Sequence, residues 1–298
     1  MTNPAGKAKT MLILLIKSMR PKHWVKNLVV FAALLFSTSF FSLTNSLRAA
    51  LVFLLFCLIA GSVYIINDIV DREEDRQHPQ KSKRPIASGD LKVVTAGFSS
   101  ILLSVGSVAT GFYLGWRVGL ILFLYLLANL LYSFFLKKIA ILDVFTISFG
   151  FVLRAIAGAI VINVRISPWL VITTMFLALF LALSKRKAEL GDRKEEAANA
   201  RQSLSAYTAS YLDQLIIIVT TTIIVSYSLY SFTSVHSDQM LWTVPFVMYG
   251  VFRYMYLTET QGAGGQLSEV LLDDFPLVVD ILLWLTAVTG ILIYFNHV

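Results

Sequence analysis

The sequence predicts an all-α membrane protein, a bundle of nine transmembrane helices that forms a single membrane domain over residues 1–298. Two compositional observations support this fold class: 57% of the 298 residues are hydrophobic and only 14% are charged, and the mean hydropathy is +0.73. Soluble domains are about half apolar and a quarter charged, so water is excluded as the main solvent. The third observation is that the apolar residues fall into windows of about 20, the length that crosses the hydrocarbon core.

Nine such windows follow one another, and the loops between them are too short for a separate soluble domain. Residues 1–23 precede the windows as a basic segment that we expect to lie at the membrane interface, without a cleaved signal peptide. The predicted spans cover residues 24–41, 47–69, 93–114, 118–136, 139–163, 169–183, 212–232, 241–257 and 277–295.

Positive charge is distributed unevenly between the two sides of this predicted bundle. Twenty of the 25 lysine and arginine residues fall in residues 1–26, in the loop near 70–92, at 137–138 or in the loop near 185–211, all on one side. The opposite side has only Arg48, Arg117 and Arg165. Cytoplasmic loops carry such an excess, so we expect a multi-pass protein of the cell (inner) membrane with its N-terminus inside and its C-terminus outside. The net charge of +7 then reflects topology and affinity for the lipid bilayer, and we expect no nucleic acid partner.

An acidic motif closes the second predicted span. Asn67, Asp68, Asp71 and Asp75 follow an apolar run with no helix breaker, so we expect them to extend the same helix and to share one face. Carboxylates on one face repel each other unless a cation lies between them, and oxygen ligands of this kind suit Mg²⁺, which also binds substrate phosphates. The motif therefore predicts that these four residues hold Mg²⁺ and a diphosphate. A solvated acidic helix end, with charge pairs along the helix, is the alternative.

Basic residues are placed where they could bind phosphates beside this motif. Arginine can contact a phosphate through two parallel hydrogen bonds, whereas lysine acts as a point charge. The sequence does not assign individual phosphates to individual side chains. The candidates at predicted cytoplasmic span ends and adjacent loops are Lys22, Lys26, Lys83, Arg84, Lys185 and Arg186.

Arg154 falls inside the fifth predicted span, where a charge costs about 2.5 to 3.5 kcal/mol on insertion scales. We expect its side chain either to pair with an internal carboxylate such as Asp143 or to contact the bound substrate.

The acidic motif, together with the run Lys83-Arg84-Pro85-Ile86-Ala87-Ser88-Gly89, resembles the first signature of the UbiA superfamily of intramembrane prenyltransferases. The resemblance covers essentially the whole chain. It implies a helical bundle around a central cavity, with the active site on the cytoplasmic side. It also implies that Asp68, Asp71 and Asp75 are catalytic and that Asn67 binds substrate as well as metal.

The loop after the sixth span departs from the pattern of family members that prenylate aromatic acceptors. Those members carry a second Asp-x-x-x-Asp motif, whereas this chain has Lys185-Arg186-Lys187-Ala188-Glu189. With the runs that begin at Arg20, Leu153 and Ser203, this resembles the decaprenyl-phosphate phosphoribosyltransferase branch. The resemblance places Lys185 among the catalytic residues. It places Arg186, Glu189 and Tyr207 among the substrate-binding residues.

That branch implies Mg²⁺-dependent transfer of 5-phosphoribosyl from phosphoribosyl pyrophosphate to a polyprenyl phosphate, with release of diphosphate. A phosphate nucleophile is already ionised at neutral pH, so positioning and charge neutralisation replace a strong general base. One alternative is an aromatic prenyltransferase that uses a prenyl diphosphate, which the altered second motif disfavours. A more distant alternative is a lipid-binding or transport protein, for which polar residues are expected near the bilayer midplane.

Overall fold

Every regular element in the described part of the chain is helical, which confirms the predicted all-α class. The computed structural model describes residues 4–192, 202–234, 237–261 and 273–296. The α-helices are α1 (Pro4–Ser18), α2 (Ala32–Phe36), α3 (Leu43–Val70), α4 (Arg72–Gln77), α5 (Pro85–Ser88), α6 (Val93–Leu114), α7 (Trp116–Phe134), α8 (Leu142–Val161), α9 (Pro168–Asp192), α10 (Ala209–Phe232), α11 (Ser237–Met240), α12 (Val244–Gln261) and α13 (Phe275–Asn296). Short 3₁₀ segments connect them at Pro21–Phe31, Ser39–Phe41, Lys81–Lys83, Leu136–Lys138, Gln202–Ala206 and Leu241–Thr243.

Seven helices within these ranges are long and apolar enough to cross a membrane, namely α3, α6, α7, α8, α9, α10 and α13. They coincide with seven of the nine predicted windows. The multi-pass membrane architecture is therefore confirmed, whereas nine regular helical spans are not observed. Of the other two windows, residues 241–257 overlap α12, which carries Arg253 and Glu259 and is shorter and more polar.

The remaining window, residues 24–41, does not form one regular α-helix as the sequence predicted. It consists of most of the 3₁₀ segment Pro21–Phe31, the short helix α2 and the 3₁₀ turn Ser39–Phe41. A 3₁₀ helix rises about 2.0 Å per residue, against 1.5 Å in an α-helix. The window therefore extends over about 30 Å, close to the thickness of the hydrocarbon core. Hydropathy detects such a segment, but it does not report which hydrogen-bond register the backbone adopts.

Helix α3 packs against α6, α7, α8 and the Pro21–Phe31 segment at the centre of one half of the bundle. Its side chains Phe56 and Ile59 are fully buried, in a cluster that includes Leu122 of α7 and Ala157 of α8. A second cluster joins α9, α10 and α12 on the other side of α8. Helix α8 therefore lies between the two halves, and residues at its ends can contact both.

Gly158 allows the Pro21–Phe31 segment to lie directly on α8. A β-carbon at this position would overlap the carbonyl oxygen of Val30, which belongs to that segment. The absence of a side chain at 158 therefore sets how closely the two backbones approach. It also brings Asn27 of the segment to the side chain of Arg154, with 2.6 Å between Asn27 Oδ1 and Arg154 Nε.

We expect Gly158→Ala to lower the stability of the purified protein, because the neighbouring atom is backbone and can yield only if the whole segment moves. Overpacking of this kind costs about 3 kcal/mol at the upper end of the usual range. Gly106→Ala is the matched control, since a β-carbon at Gly106 meets no atom within 4 Å. Thermal unfolding in detergent should show a lower midpoint for Gly158→Ala alone. Equal midpoints for the two variants would contradict the close approach of the segment to α8.

Candidate functional site

Two carboxylates of the acidic motif are buried and share one guanidinium. Asp68 is 2% exposed and Asp75 is 3% exposed. Nη1 of Arg84 lies 3.2 Å from Asp68 Oδ1 and 2.6 Å from Asp75 Oδ2. The structure therefore brings together three predicted site residues, in what we call the carboxylate cluster, defined as Asp68, Asp71 and Asp75 with their cationic neighbours.

The backbone of the motif differs from the continuous helix that the sequence predicted. Helix α3 ends at Val70 and α4 begins at Arg72, with Asp71 at φ −86° and ψ 10° between them. Hydrogen bonds from Asp71 N to Asn67 O and from Asp75 N to Asp71 O, both 2.8 Å, continue across the junction. The helix is thus interrupted at Asp71, but its backbone hydrogen bonds continue on both sides of that residue. The ion pairs of Asp68 and Asp75 with Arg84, a residue of the following loop, are formed across this interruption.

The loop that carries Arg84 is anchored by apolar residues. Ile86 is fully buried and Leu91 is 2% exposed, both in a cluster with Ile65 of α3. The amide of Leu91 donates to the carbonyl of Pro85 at 2.8 Å, and Gly89 closes the turn at φ +89°. A positive φ of this size favours glycine. The residues directly after Arg84 therefore anchor it against α3.

Arg20 also binds a carboxylate of the cluster. From the sequence it was known only as the first residue of a run that resembles the family. Its guanidinium donates to Asp68 Oδ1 and lies 5.0 Å from the ring centroid of Tyr64. The backbone at Arg20 has φ 53°, in the left-handed region that non-glycine residues seldom occupy. Besides that resemblance, the one local indication of a role for Arg20 was its position directly before Pro21, between α1 and the next segment.

Lys137 is a second contributor that the sequence analysis missed. Its ammonium lies 3.4 Å from Asp71 Oδ1, at the end of α7 that faces the motif. Asn67, by contrast, makes no side-chain hydrogen bond within the described ranges. Each carboxylate of the cluster is thus neutralised by a lysine or arginine of another segment, and the pairing to distant segments could not be deduced from local spacing.

The donor chemistry of the motif fits Mg²⁺, because carboxylate and amide oxygens are the hard ligands that this ion prefers. Within the described residues, however, no three His, Cys, Asp or Glu side chains are gathered as a metal site. Arginine and lysine occupy the positions around these oxygens instead. The predicted set of Asn67, Asp68, Asp71 and Asp75 as metal ligands stays a prediction.

A neutral histidine lies beside the cluster, in a strongly positive environment. Burial, and after it the positive charges of Lys26, Arg20 and Lys185 in that order, together lower the pKa of His23 from 6.5 to about 4. The ring of His23 lies 5.6 Å from that of Tyr64, and its Nδ1 atom is buried without a hydrogen-bond partner. Of the other predicted lysines, Lys22 and Lys83 are exposed to solvent.

We expect His23 to make the protein less stable in mild acid. Below pH 6.5 the unfolded chain takes up a proton at this residue that the folded protein does not bind until about pH 4. Stability at this site is therefore present above pH 6.5 and lost as the pH falls toward 4. Between pH 7 and pH 5 the wild type should lose about 1 kcal/mol more than His23→Gln, allowing for screening at a half-buried group. Thermal midpoints in detergent at the two pH values measure this, and equal losses would contradict it.

A second buried network centres on Asp143, at the start of α8. Asp143 is fully buried and accepts hydrogen bonds from Arg186 Nε at 2.8 Å, Tyr207 Oη at 2.8 Å and Ser203 Oγ at 3.3 Å. Arg186 is 1% exposed and also pairs with Glu189. We call these five residues the Asp143 network.

The network changes the interpretation of two predicted substrate ligands. Arg186 does not project into the mouth with the other basic residues, because its guanidinium faces Asp143 and Tyr132 inside the protein. Tyr207 is 4% exposed, and burial raises the pKa of its phenol, so the hydroxyl stays protonated and donates to Asp143. Both side chains are thus engaged within the fold, and their contact with substrate stays a prediction.

Lys185 differs from its neighbour Arg186, since 41% of its side chain is exposed and its ion pair with Glu189 is long, at 3.9 Å. Lys187 pairs with Asp213 of α10 at 2.6 Å and with Glu259 of α12. Residues 193–201, the middle of the predicted 185–211 loop, lie outside the described residues. Among these three residues, Lys185 has the most exposed side chain, against 1% for Arg186 and 24% for Lys187.

The predicted ion pair between Arg154 and Asp143 is wrong. Asp143 lies eleven residues earlier on the same helix, about 16 Å away along the axis, and is bound to Arg186. Arg154 instead donates to Asn27 Oδ1 at 2.6 Å and to Tyr125 Oη at 2.5 Å. Its guanidinium also lies 4.6 Å from the ring centroid of Tyr125 and 5.1 Å from that of Phe151.

Comparison with known proteins gives one family and, within it, relatives that share one name. The model of the UbiA prenyltransferase family matches residues 27–266. The decaprenyl-phosphate phosphoribosyltransferase of Mycolicibacterium smegmatis is 33% identical over 306 residues, which cover 98% of this chain and 96% of that protein. Its counterpart in Corynebacterium glutamicum is 36% identical over 280 residues, covering 91% and 84% respectively.

Among solved structures, a UbiA homologue from Archaeoglobus fulgidus bound to GPP and Mg²⁺ superposes with a TM-score of 0.71 at 16% identity. The match covers 93% of this chain and 99% of that one. At this identity the similarity establishes the fold alone. The helices described above therefore share the arrangement of a structure that holds a diphosphate and a divalent metal.

Proposed function

The chain belongs to the UbiA prenyltransferase family, and from this premise we propose that it transfers 5-phosphoribosyl from phosphoribosyl pyrophosphate to a polyprenyl phosphate and releases diphosphate. The observation that carries the proposal is identity of 33% and 36%, over nearly the whole chain, to proteins named decaprenyl-phosphate phosphoribosyltransferase. The catalytic centre that we propose is the carboxylate cluster with Lys185. The protein is accordingly a membrane-bound transferase.

The chemistry at the cluster supports this reaction. Asn67, Asp68, Asp71 and Asp75 would hold Mg²⁺, which supplies charge neutralisation to a leaving diphosphate when it is bound. Arg20, Arg84 and Lys137, which face these carboxylates here, are cationic donors suited to phosphate oxygens. We propose that they orient the diphosphate while an ionised oxygen of the lipid phosphate attacks the ribose C1 and the C1–diphosphate bond breaks.

The side chains around the cluster fix the positions of its charged groups and balance their charges. Asp68 and Asp75 are buried, and Ile86 and Leu91 hold the loop of Arg84 against α3. Fixed donors in a site of low polarity stabilise developing charge without reorganising during the reaction. No general base has to be supplied by the chain, because the acceptor oxygen carries its own negative charge.

The test is to incubate the purified protein in detergent with Mg²⁺, a polyprenyl phosphate and phosphoribosyl pyrophosphate labelled in the ribose. We expect label to move into the lipid fraction and the transfer to stop on chelation. A parallel reaction with a prenyl diphosphate and aromatic acceptors tests the other branch of the family. A prenylated aromatic product, with label left in water, would overturn the proposal.

We also propose that the bundle crosses the membrane nine times, with the carboxylate cluster on the cytoplasmic side of the inner membrane. The length of residues 24–41 and the excess of basic residues around the cluster support this topology. In a Cys57→Ser background, we expect Lys83→Cys to react with an impermeant thiol reagent only from the cytoplasmic face of oriented vesicles. Arg117→Cys should react only from the opposite face. Labelling of both positions from one face would contradict the topology.

A further inference from the structure

Two cations near the carboxylate cluster have no carboxylate partner within the described residues, namely Lys26 and Arg154. Arg154 is 6% exposed, and its partners are an amide, a phenol and aromatic rings, all of them neutral. An arginine side chain does not give up its proton in proteins, and a buried charge without a counter-ion is costly. The fold therefore retains a positive charge here that the described part of the chain does not balance.

Lys26 lies next to Asn27, the residue that binds Arg154, and is half-buried in the same 3₁₀ segment. The positive charges of Lys185, Arg154 and Arg20 act on its ammonium group. Like charges brought together in a partly buried place repel each other, and an anion would relieve the repulsion. Lys185, whose side chain is 41% exposed, is one of these like charges.

His23 adds a neutral hydrogen-bonding group to the same place. Its Nδ1 atom is buried with no partner, and its imidazole is uncharged at neutral pH. A neutral imidazole can donate or accept one hydrogen bond without adding to the crowded positive charge. The three side chains His23, Lys26 and Lys185 thus offer cationic and neutral donors. The ion pair of Lys185 with Glu189 adds one carboxylate, which does not by itself recruit a metal ion.

Arg20 and Tyr64 connect this group to the carboxylates of the cluster. Arg20 binds Asp68 and lies over the ring of Tyr64, and the ring centroids of Tyr64 and His23 are 5.6 Å apart. Two electrostatic environments are therefore adjacent, one rich in carboxylates and one rich in cations. The first suits a diphosphate that carries a metal ion, and the second suits a phosphate that binds without one.

We propose that His23, Lys26 and Lys185 form a binding subsite for a phosphate monoester that carries no metal ion. Arg154, which binds the neighbouring residue Asn27, adds positive potential to this subsite. The inference rests on the proposed function and deepens it, since that reaction requires one diphosphate and two phosphate monoesters at a single mouth. The monoester is either the phosphate of the lipid acceptor or the 5-phosphate of the ribose. Both share the same doubly charged head group.

The experiment measures binding without metal and without turnover. Purified protein in detergent with excess EDTA is titrated calorimetrically with a short-chain prenyl monophosphate in one arm and ribose 5-phosphate in the other. We expect the wild type to bind one of the two, and the arm that shows binding identifies the source of the phosphate. Lys26→Met should weaken that binding at least about tenfold, as loss of a charge-assisted hydrogen bond does.

Matched variants separate the subsite from general effects of charge and folding. Lys17→Met removes an exposed lysine of α1 and should bind as the wild type does. Lys185→Met, at a position where 41% of the side chain is exposed, should weaken binding as Lys26→Met does and guards against misfolding of the latter. Absence of binding in both arms for the wild type, or equal binding by Lys17→Met and Lys26→Met, would overturn the subsite.

Failure of the subsite and failure of the proposed function give different results. If monoester binding depends on Lys26 but no label passes from phosphoribosyl pyrophosphate to lipid, the subsite is supported and the proposed reaction is wrong. If transfer occurs and monoester binding is unaffected by Lys26→Met and Lys185→Met, the reaction is supported and the subsite is wrong.

Discussion

Asp68→Asn is expected to lower phosphoribosyl transfer at least about 100-fold while the helical bundle stays folded. The carboxylate is 2% exposed and binds both Arg20 and Arg84, so it is the point at which the cluster is most tightly connected. Asparagine keeps the shape but removes the charge that would hold a metal ion, and loss of one such electrostatic group costs about 10²–10³ in turnover. Arg20 and Arg84 remain partly hydrated, which limits the loss of stability.

The measurement is initial rate of label transfer at saturating substrates, together with thermal unfolding of the same samples. Glu73→Gln is the matched control, because this carboxylate lies on α4 beside the cluster, is 72% exposed and pairs with Arg72 and Arg76 of its own helix among the described ion pairs. We expect its activity to stay within about twofold of the wild type, as is usual for surface charge pairs. Full activity of Asp68→Asn, or an equal loss in Glu73→Gln, would remove the catalytic role of the cluster.

The second large effect is expected from the Asp143 network. Arg186→Met leaves the carboxylate of Asp143 buried without its cationic partner, and removing one member of a buried ion pair costs about 3–5 kcal/mol. For a protein of this size, the midpoint of thermal unfolding should fall by about 10 °C. Lys187→Met, which breaks more exposed ion pairs on the next residue, should cost less than about 1 kcal/mol.

A double variant distinguishes charge from packing in this network. Arg186→Met combined with Asp143→Leu removes both charges and fills the space with apolar atoms, so we expect it to recover much of the lost stability. If the double variant is as unstable as Arg186→Met alone, the loss arises from packing around Arg186 and not from the unpaired carboxylate. If neither variant unfolds earlier than the wild type, the buried pair has no part in stability.

The sequence predicted those features that depend on local composition. Seven spans and the acidic motif follow from runs of neighbouring residues, because hydropathy and helical spacing act over one or two turns. Asp68 and Asp75 were assigned to one site on this basis, and the structure joins them through Arg84. The partners of these residues were harder to foresee, since Arg20 and Lys137 come from segments 48 and 66 residues away.

The sequence also did not predict in which direction long side chains point. Lys185 and Arg186 are adjacent in a basic run, and both were assigned to substrate, yet consecutive residues of a helix face different ways by about 100°. The side chain of Lys185 is 41% exposed, whereas that of Arg186 is 1% exposed and points at Asp143. Only the packing of α8 against α9 decides which of the two faces inward, and that packing is a property of the assembled bundle.

The Asp143 network also has a consequence for the order in which the protein is made. Asp143 precedes Arg186 by 43 residues and Tyr207 by 64, so it leaves the ribosome seconds before either partner exists, at about 5–20 residues per second. During that interval the carboxylate of Asp143 has no guanidinium partner. The buried ion pair can form only after α9 has been synthesised, which makes this network a late contact in the biogenesis of the protein.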